Sequence, residues 1–306
     1  MRKIKDKLKW PYRATLSALN HMLSHVVSVP KLKEWNALLL HGRKLDLDHP
    51  NRLSEKILWL AYHSDTSVWS TIADKAAVRD FVSQKGLSQI LIPSYGVYDH
   101  FEDIPFDRLP NQFVLSATHG CQMSFICRDK TALDLEALEK KVRFWLRRDL
   151  SYIALELHYA AIPHRILCTE YLPSDGDLID YKIFCMNGRA YFTEVCTDRS
   201  KGPYFDIVDR EWNIIPDVIT GAKNCPYPLE KPENYAEMLA VAEKLAEDLP
   251  FCRVDLYNVD GRIYFGEMTM TPATGLLFHF TDEFLLAQGN NLSLPGQVLV
   301  ENDPVE

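Results

Sequence analysis

The sequence predicts an α/β protein, built either as one large domain or as two smaller lobes. Three observations carry that expectation. Of 306 residues, 47% are hydrophobic, enough for a sizeable core. Several stretches carry apolar side chains at helical spacing. Others alternate polar and apolar residues and meet at glycine turns, Asn187-Gly188 most clearly and Val259-Asp260-Gly261 next.

Residues 14–40 hold a weakly helical stretch closed by Pro30. His21 and His25 would share a helix face there, with no third ligand near, which reads as packing or surface. Residues 51–62 read as a helix with Leu53, Ile57, Leu60 and Ala61 inward. Residues 72–84 read as another, burying Ala77, Val78, Phe81 and Val82 and leaving Asp74, Lys75 and Arg79 on the wetter side. Gly86 ends it. Residues 91–98 suggest short strands before an acidic connection, 99–107.

Residues 112–118 form a strand candidate, 119–123 a turn and 124–127 the returning strand. Phosphate-cradling loops use closely approaching backbone amides, and this turn offers a single glycine, Gly120. His119 reads equally as a buried or capping residue and as a substrate contact. Asp134 is placed to cap a helix running to 148, with Leu138, Val142, Trp145 and Leu146 as its stripe. Residues 165–172 form a strand entering a Pro-Ser-Asp-Gly turn. Residues 180–186 and 189–196 form a hairpin, followed by a polar loop with Arg199 and Lys201. A short strand pair, 204–215, and a loop, 216–231, come next. Pro232 suits the first position of a helix through Asp248, with Tyr235, Met238, Leu239, Ala242, Leu245, Ala246 and Leu249 inward.

That helix delivers the chain to residues 249–274, two strands around a tight turn. Alternation sets Arg253 with Asp255, and Glu267 with Thr269, on single faces. Paired strands would bring the carboxylates of Asp255 and Glu267 together, an arrangement suited to Mg²⁺ held jointly with substrate phosphates. A solvent-facing hairpin is the plainer alternative. The chain after Thr274 reads as helical or irregular.

The net charge of −8 disfavours a nucleic-acid partner. Residues 1–13 nevertheless carry six basic side chains and one acidic, with Trp10 and Tyr12. Such a segment permits contact with an anionic membrane surface, and a solvated terminus is the plainer reading. The sequence has no apolar run long enough to span a membrane and no signal-peptide pattern. Its seven cysteines are scattered without a C-x-x-C pair. The expectation is a reduced cytoplasmic protein, able to sit at the inner face of the cell membrane.

Five segments in order, LPNQFVLSATHG, ILCTEYL, DYKIFCMNG, CRVDLY and IYFGEMTMTPATG, resemble the ATP-grasp superfamily. More narrowly, the stretch from about Ile72 to Pro295 is similar to the TupA-like ATP-grasp group, associated with teichuronopeptide and other surface-polysaccharide biosynthesis. The resemblance implies an ATP-grasp fold: two α/β lobes with a nucleotide cleft between them, plus an N-terminal helical segment. Its boundaries would be 1–70 for the helical region, 71–165 for the smaller lobe and 166–306 for the larger.

The resemblance also implies roles. ATP would be held by Ser116 and Gly120 of the small-lobe turn and by a hinge of Glu170, Tyr171 and Leu172. Lys182 would meet phosphate or an acyl-phosphate. Asp255 and Glu267 would bridge Mg²⁺, and Arg253 would stabilise developing charge, with Lys182, Arg253 and His119 as the catalytic set. Three departures stand out: Ser116 where relatives typically carry Lys, a thinned glycine turn, and Thr269 where an Asn ligand is usual. Lys75, Arg79 and Arg128 are candidates to replace the missing cation. The implied activity is an ATP- and Mg²⁺-dependent carboxylate–amine ligase acting on a glycan or amino-acid substrate. The alternatives are a glycosyltransferase on the same scaffold, using a nucleotide-sugar donor, and a non-catalytic nucleotide-binding assembly protein.

Overall fold

The computed structural model describes residues 15–173, 177–200 and 202–295; the basic segment 1–13, the turn residues Ser174, Asp175 and Gly176, and Lys201 lie outside these. The first half of the chain supplies helices α1 (Val29–His41), α2 (Leu53–His63), α3 (Ser67–Ala73) and α4 (Val78–Gln84). Strands β1 (Ser94–Tyr98), β2 (Phe113–Ala117) and β3 (Ser124–Cys127), helix α5 (Leu135–Leu146) and strand β4 (Ile166–Glu170) follow. The second half supplies β5 (Asp180–Met186), β6 (Arg189–Thr197), β7 (Tyr204–Val208), α6 (Tyr235–Ala246), β8 (Phe251–Val259), β9 (Arg262–Thr269) and α7 (Asp282–Gly289).

Two sheets result, each with its own core. The smaller has the order β1-β4-β2-β3 and is antiparallel throughout. Strand β2 alternates as its sequence requires. Phe113, Leu115 and Ala117 are buried with Leu138, Val142 and Trp145 of α5, and Ser116 points to the opposite face. Helix α5 begins where expected, because the Asp134 carboxylate accepts the Ala137 N–H at 2.9 Å. The larger sheet has the order β7-β6-β5-β8-β9, again antiparallel. Its hairpin β5–β6 turns through Asn187 (φ 50°) and Gly188 (φ 78°), both left-handed, as the Asn-Gly pair favours. Helix α6 packs its expected stripe against this sheet, with Tyr235, Met238, Ala242, Leu245 and Ala246 all buried.

The structure corrects several expectations. Pro30 opens α1 near its first position and does not close a helix; residues 15–23 form a separate helical stretch. The single helix expected over 72–84 is broken into α3 and α4. At the break the Asp74 carboxylate accepts the Ala76 N–H at 2.8 Å and the Arg165 guanidinium at 3.0 Å. Asp74 is therefore buried, not on the wetter side. Helix α6 starts at Tyr235, three residues after Pro232.

Two domain edges also shift. Leu53, Ile57 and Leu60 of α2, with Trp69, Ile72, Val78 and Val82, join the core of the larger sheet, so residues 53–82 pack into that lobe. The smaller sheet extends past residue 165, because β4 pairs on both edges within it.

Strand β9 bulges at Gly266, the residue passed over between the pairs Asp255–Glu267 and Leu256–Phe265. A Cβ on Gly266 would stand 2.9 Å from the Asp255 carbonyl oxygen. That approach lets the strands keep Asp255 and Glu267 as direct partners across the bulge. Gly266→Ala is expected to destabilise the protein by about 1–3 kcal/mol through backbone displacement. Urea unfolding of the variant beside the parent measures it; equal midpoints would contradict the close approach.

Candidate functional site

Four strands of the larger sheet place one row of charge in register: Glu194 on β6 opposite Lys182 on β5, Lys182 opposite Asp255 on β8, and Asp255 opposite Glu267 on β9. Arg253 lies two residues along β8 on the same face, opposite Thr269. The Lys182 ammonium donates to Asp255 Oδ2 at 2.7 Å. Arg253 grips the same carboxylate with Nε on Oδ1 at 2.6 Å and a terminal nitrogen on Oδ2 at 2.7 Å. That nitrogen also reaches Glu267 Oε1 at 3.3 Å and the Thr269 hydroxyl at 3.1 Å. Lys75, from the break between α3 and α4, donates to Glu267 Oε2 at 2.8 Å. Every carboxylate oxygen of Asp255 and Glu267 thus accepts a cationic N–H. At the row's margin Arg199 pairs with Asp180 at 2.6 Å, and His279 lies 3.4 Å from Glu194.

The electrostatics follow from this packing. Asp255 is 3% exposed, and a buried charge is tolerated only when paired and hydrogen-bonded. Lys75, Arg253 and Lys182 hold the Glu267 carboxyl well below the usual range, against the opposing effect of burial. Burial pulls on the cations of Lys75, Lys182 and Arg253, but the facing carboxylates more than offset it and raise all three. No group of three or more His, Cys, Asp or Glu able to hold a metal occurs among the described residues. Two opposed carboxylates are the ligand type Mg²⁺ takes together with substrate phosphates, and here their four oxygens are held by Lys75, Lys182 and Arg253.

The other sequence candidates scatter. Ser116 bonds the Ser124 hydroxyl at 2.9 Å within the small sheet. Gly120 is buried in the turn, where a Cβ would meet Leu150 Cδ1 at 2.3 Å, so its smallness answers packing. At the end of β4 Glu170 is exposed, and beyond it Tyr171 is half-buried and Leu172 buried.

His119 is a correction. It is 1% exposed, stacks on His164 at 3.8 Å and donates from Nε2 to the Trp145 carbonyl at 3.0 Å. Burial and the neighbouring His164 push its imidazole down to about 4. A ring so enclosed braces the turn.

Of the candidate replacement cations, the Arg79 guanidinium donates to the Ile92 carbonyl, and that of Arg128 lies over the Tyr171 ring. Only Lys75 joins the charge row. Its backbone N–H also donates to Thr118 O of the small-lobe turn at 3.1 Å, so this one residue ties the two lobes. The helical pattern placed Lys75 merely on a wet face; only the helix break turns it to Glu267.

A buried charge row on one antiparallel sheet, tied through Lys75 to the turn of a second and smaller sheet, defines an ATP-grasp protein with two α/β lobes. The chain belongs to the TupA-like ATP-grasp family, whose model matches residues 55–293. Among solved structures it is similar to a D-alanine–D-alanine ligase from Bacillus anthracis, at 16% identity and a TM-score of 0.45, over 71% of this chain and 62% of that one. It is also similar to an N5-carboxyaminoimidazole ribonucleotide synthetase in its ADP complex, at 14% and 0.44, over 71% and 50%. An L-amino acid ligase from Bacillus licheniformis gives 15% and 0.45, over 69% and 46%. The chain therefore spans about half to three fifths of the length of these structures. No curated protein sequence matches it.

Protonation of the buried imidazoles sets an acid limit. His158 is also held near 4 by burial, and neither His119 Nδ1 nor His158 Nε2 has a partner among the described residues. The fold holds both rings neutral, so below their ordinary value of 6.5 the unfolded chain takes up protons first. Their contribution is full above pH 6.5 and falls between 6.5 and about 4, at up to about 1.4 kcal/mol per pH unit for each ring. Urea unfolding at pH 7 and pH 5 reads this slope, and His119→Phe is expected to reduce it by about half.

Proposed function

We propose that the protein is an ATP-dependent ligase that activates a carboxylate as an acyl-phosphate for attack by an amine. The observation that carries this reading is the in-register row Glu194, Lys182, Asp255 and Glu267 with Arg253 and Lys75 around it. Family membership supports it. In the first step a substrate carboxylate oxygen attacks the γ-phosphorus and ADP leaves. In the second the amine nitrogen attacks the acyl carbon, phosphate leaves, and the amine gives up a proton. Both steps gather negative charge on phosphoryl or acyl oxygens, and such transfer depends mainly on positioning and electrostatic stabilisation. Lys182 and Arg253 supply fixed positive charge at that place. Asp255 and Glu267 would hold Mg²⁺, which neutralises phosphate charge when bound.

In this reading Lys75 takes the part that a strand lysine would play where this chain has Ser116. Without nucleotide its ammonium rests on Glu267; with nucleotide it turns to the phosphates. Residues 170–172, at the end of β4, meet the base. A cavity of about 600 Å³ suits the acceptor: Cys121, Glu156 and His279 line it beside Lys33 and Leu40 of α1. Its His279 borders Glu194 of the row. The family resemblance supports a surface-glycan or amino-acid acceptor.

Calorimetry with ATP, ADP, UDP-sugars and CMP-sugars, with and without Mg²⁺, tests the proposal. ATP binding that requires Mg²⁺ is expected, weakened about a hundredfold by Lys75→Met and lost in Glu267→Gln. Asp255→Ala is a poorer probe, because removing it strands two buried cations at a cost of about 3–5 kcal/mol. Binding of a nucleotide-sugar with silence toward ATP would overturn the ligase reading and support the transferase.

A further inference from the structure

Nothing among the described residues covers the outer face of α1. Of the seventeen large hydrophobic side chains exposed among the described residues, six lie within residues 19–39: Leu19, Met22, Val26, Trp35, Leu38 and Leu39. Val26 is 78% exposed and Leu39 79%. Trp35, Leu38 and Leu39 stand at i, i+3 and i+4, so they share one helix face. The opposite face is anchored. Ala37 is buried there, and the Lys33 ammonium donates to the carbonyls of Ala154 at 2.7 Å and Thr274 at 2.8 Å. The helix is therefore held with its apolar stripe outward, and clustered exposure of this kind marks an interaction surface.

Charge says what covers it. Residues 1–44 carry ten Lys and Arg against two Asp and Glu, a surplus of eight positive charges. The whole chain totals −8, so residues 45–306 carry −16. This end of the chain alone is strongly cationic, with Lys44 exposed beside Lys31 and Arg43, which pair with Glu34 and Asp282. An anionic bilayer would attract it and repel the remainder, which fixes the orientation of approach. Nucleic acid would use the charge but not the apolar stripe. No helix among the described residues is long and apolar enough to cross a membrane, so the contact lies on the surface.

We propose that residues 15–44 dock the protein on a bilayer containing anionic phospholipid, with Trp35, Leu38 and Leu39 entering the interface and the basic side chains of residues 2–13 adding attraction. The inner face of α1 lines the cavity described above, so docking sets that cavity next to the lipid. The docking itself does not depend on the ligase reading.

Co-sedimentation of the full chain with vesicles tests it, using phosphatidylcholine alone and phosphatidylcholine mixed with phosphatidylglycerol. Binding to the mixed vesicles only, falling as salt rises, is expected. Leu38→Glu with Leu39→Glu is expected to lower partitioning about tenfold or more. Both sites are exposed, so circular dichroism and the melting temperature are expected to stay at parental values. Lys3→Glu, Lys5→Glu and Lys7→Glu together are expected to lower partitioning similarly. Absence of binding to the mixed vesicles at low salt overturns the proposal, as does binding that the Leu38 and Leu39 changes leave untouched. A dimer in analytical ultracentrifugation that dissociates in that double variant, without vesicle binding, overturns it in favour of a second copy of the chain.

Discussion

The burial of Asp255 is the constraint on which the larger lobe depends. At 3% exposure its charge is tolerable only because Lys182 and two nitrogens of the Arg253 guanidinium reach it. Those contacts exist in one register of β5, β8 and β9. A slip of one residue would turn Lys182, Asp255 and Glu267 toward the opposite face, where α6 packs Met238, Ala242 and Leu245. The register that lets the sheet fold is thus the one that assembles the charge row. Gly266 is part of the same arrangement, since the bulge it accommodates keeps Asp255 opposite Glu267.

Lys75 extends this constraint to the second sheet. Its backbone N–H meets Thr118, and its ammonium meets Glu267, so the turn of the smaller lobe and the edge of the larger share one residue. The neighbouring Asp74 pairs with Arg165, just before β4, and holds the helix break in place. Among the described residues the Lys75 ammonium pairs with a part-exposed carboxylate, Glu267, whereas that of Lys182 is locked against the buried Asp255. This difference separates Lys75 from Lys182.

Much of this was legible in the residues alone. The stripes of α2, α5 and α6, the Asn187-Gly188 turn and the carboxylate hairpin follow from local periodicity and turn chemistry, which the chain states within a dozen residues. The ordered motifs from LPNQFVLSATHG to IYFGEMTMTPATG carried the family, whose model matches residues 55–293. What local pattern missed was set by partners distant in sequence. The break at Asp74 depends on Arg165, ninety-one residues away, and the reach of Lys75 depends on Glu267, one hundred and ninety-two away. His119 sat in a plausible loop, yet the stack on His164 and the Trp145 carbonyl drew it into the core.

The sequence by itself determined which strands alternate, where they turn and which charged residues occupy them, since those properties are properties of neighbours along the chain. Only the tertiary structure decided which charges meet, because a buried carboxylate takes whichever cations the packing of separate strands and helices brings within hydrogen-bond distance.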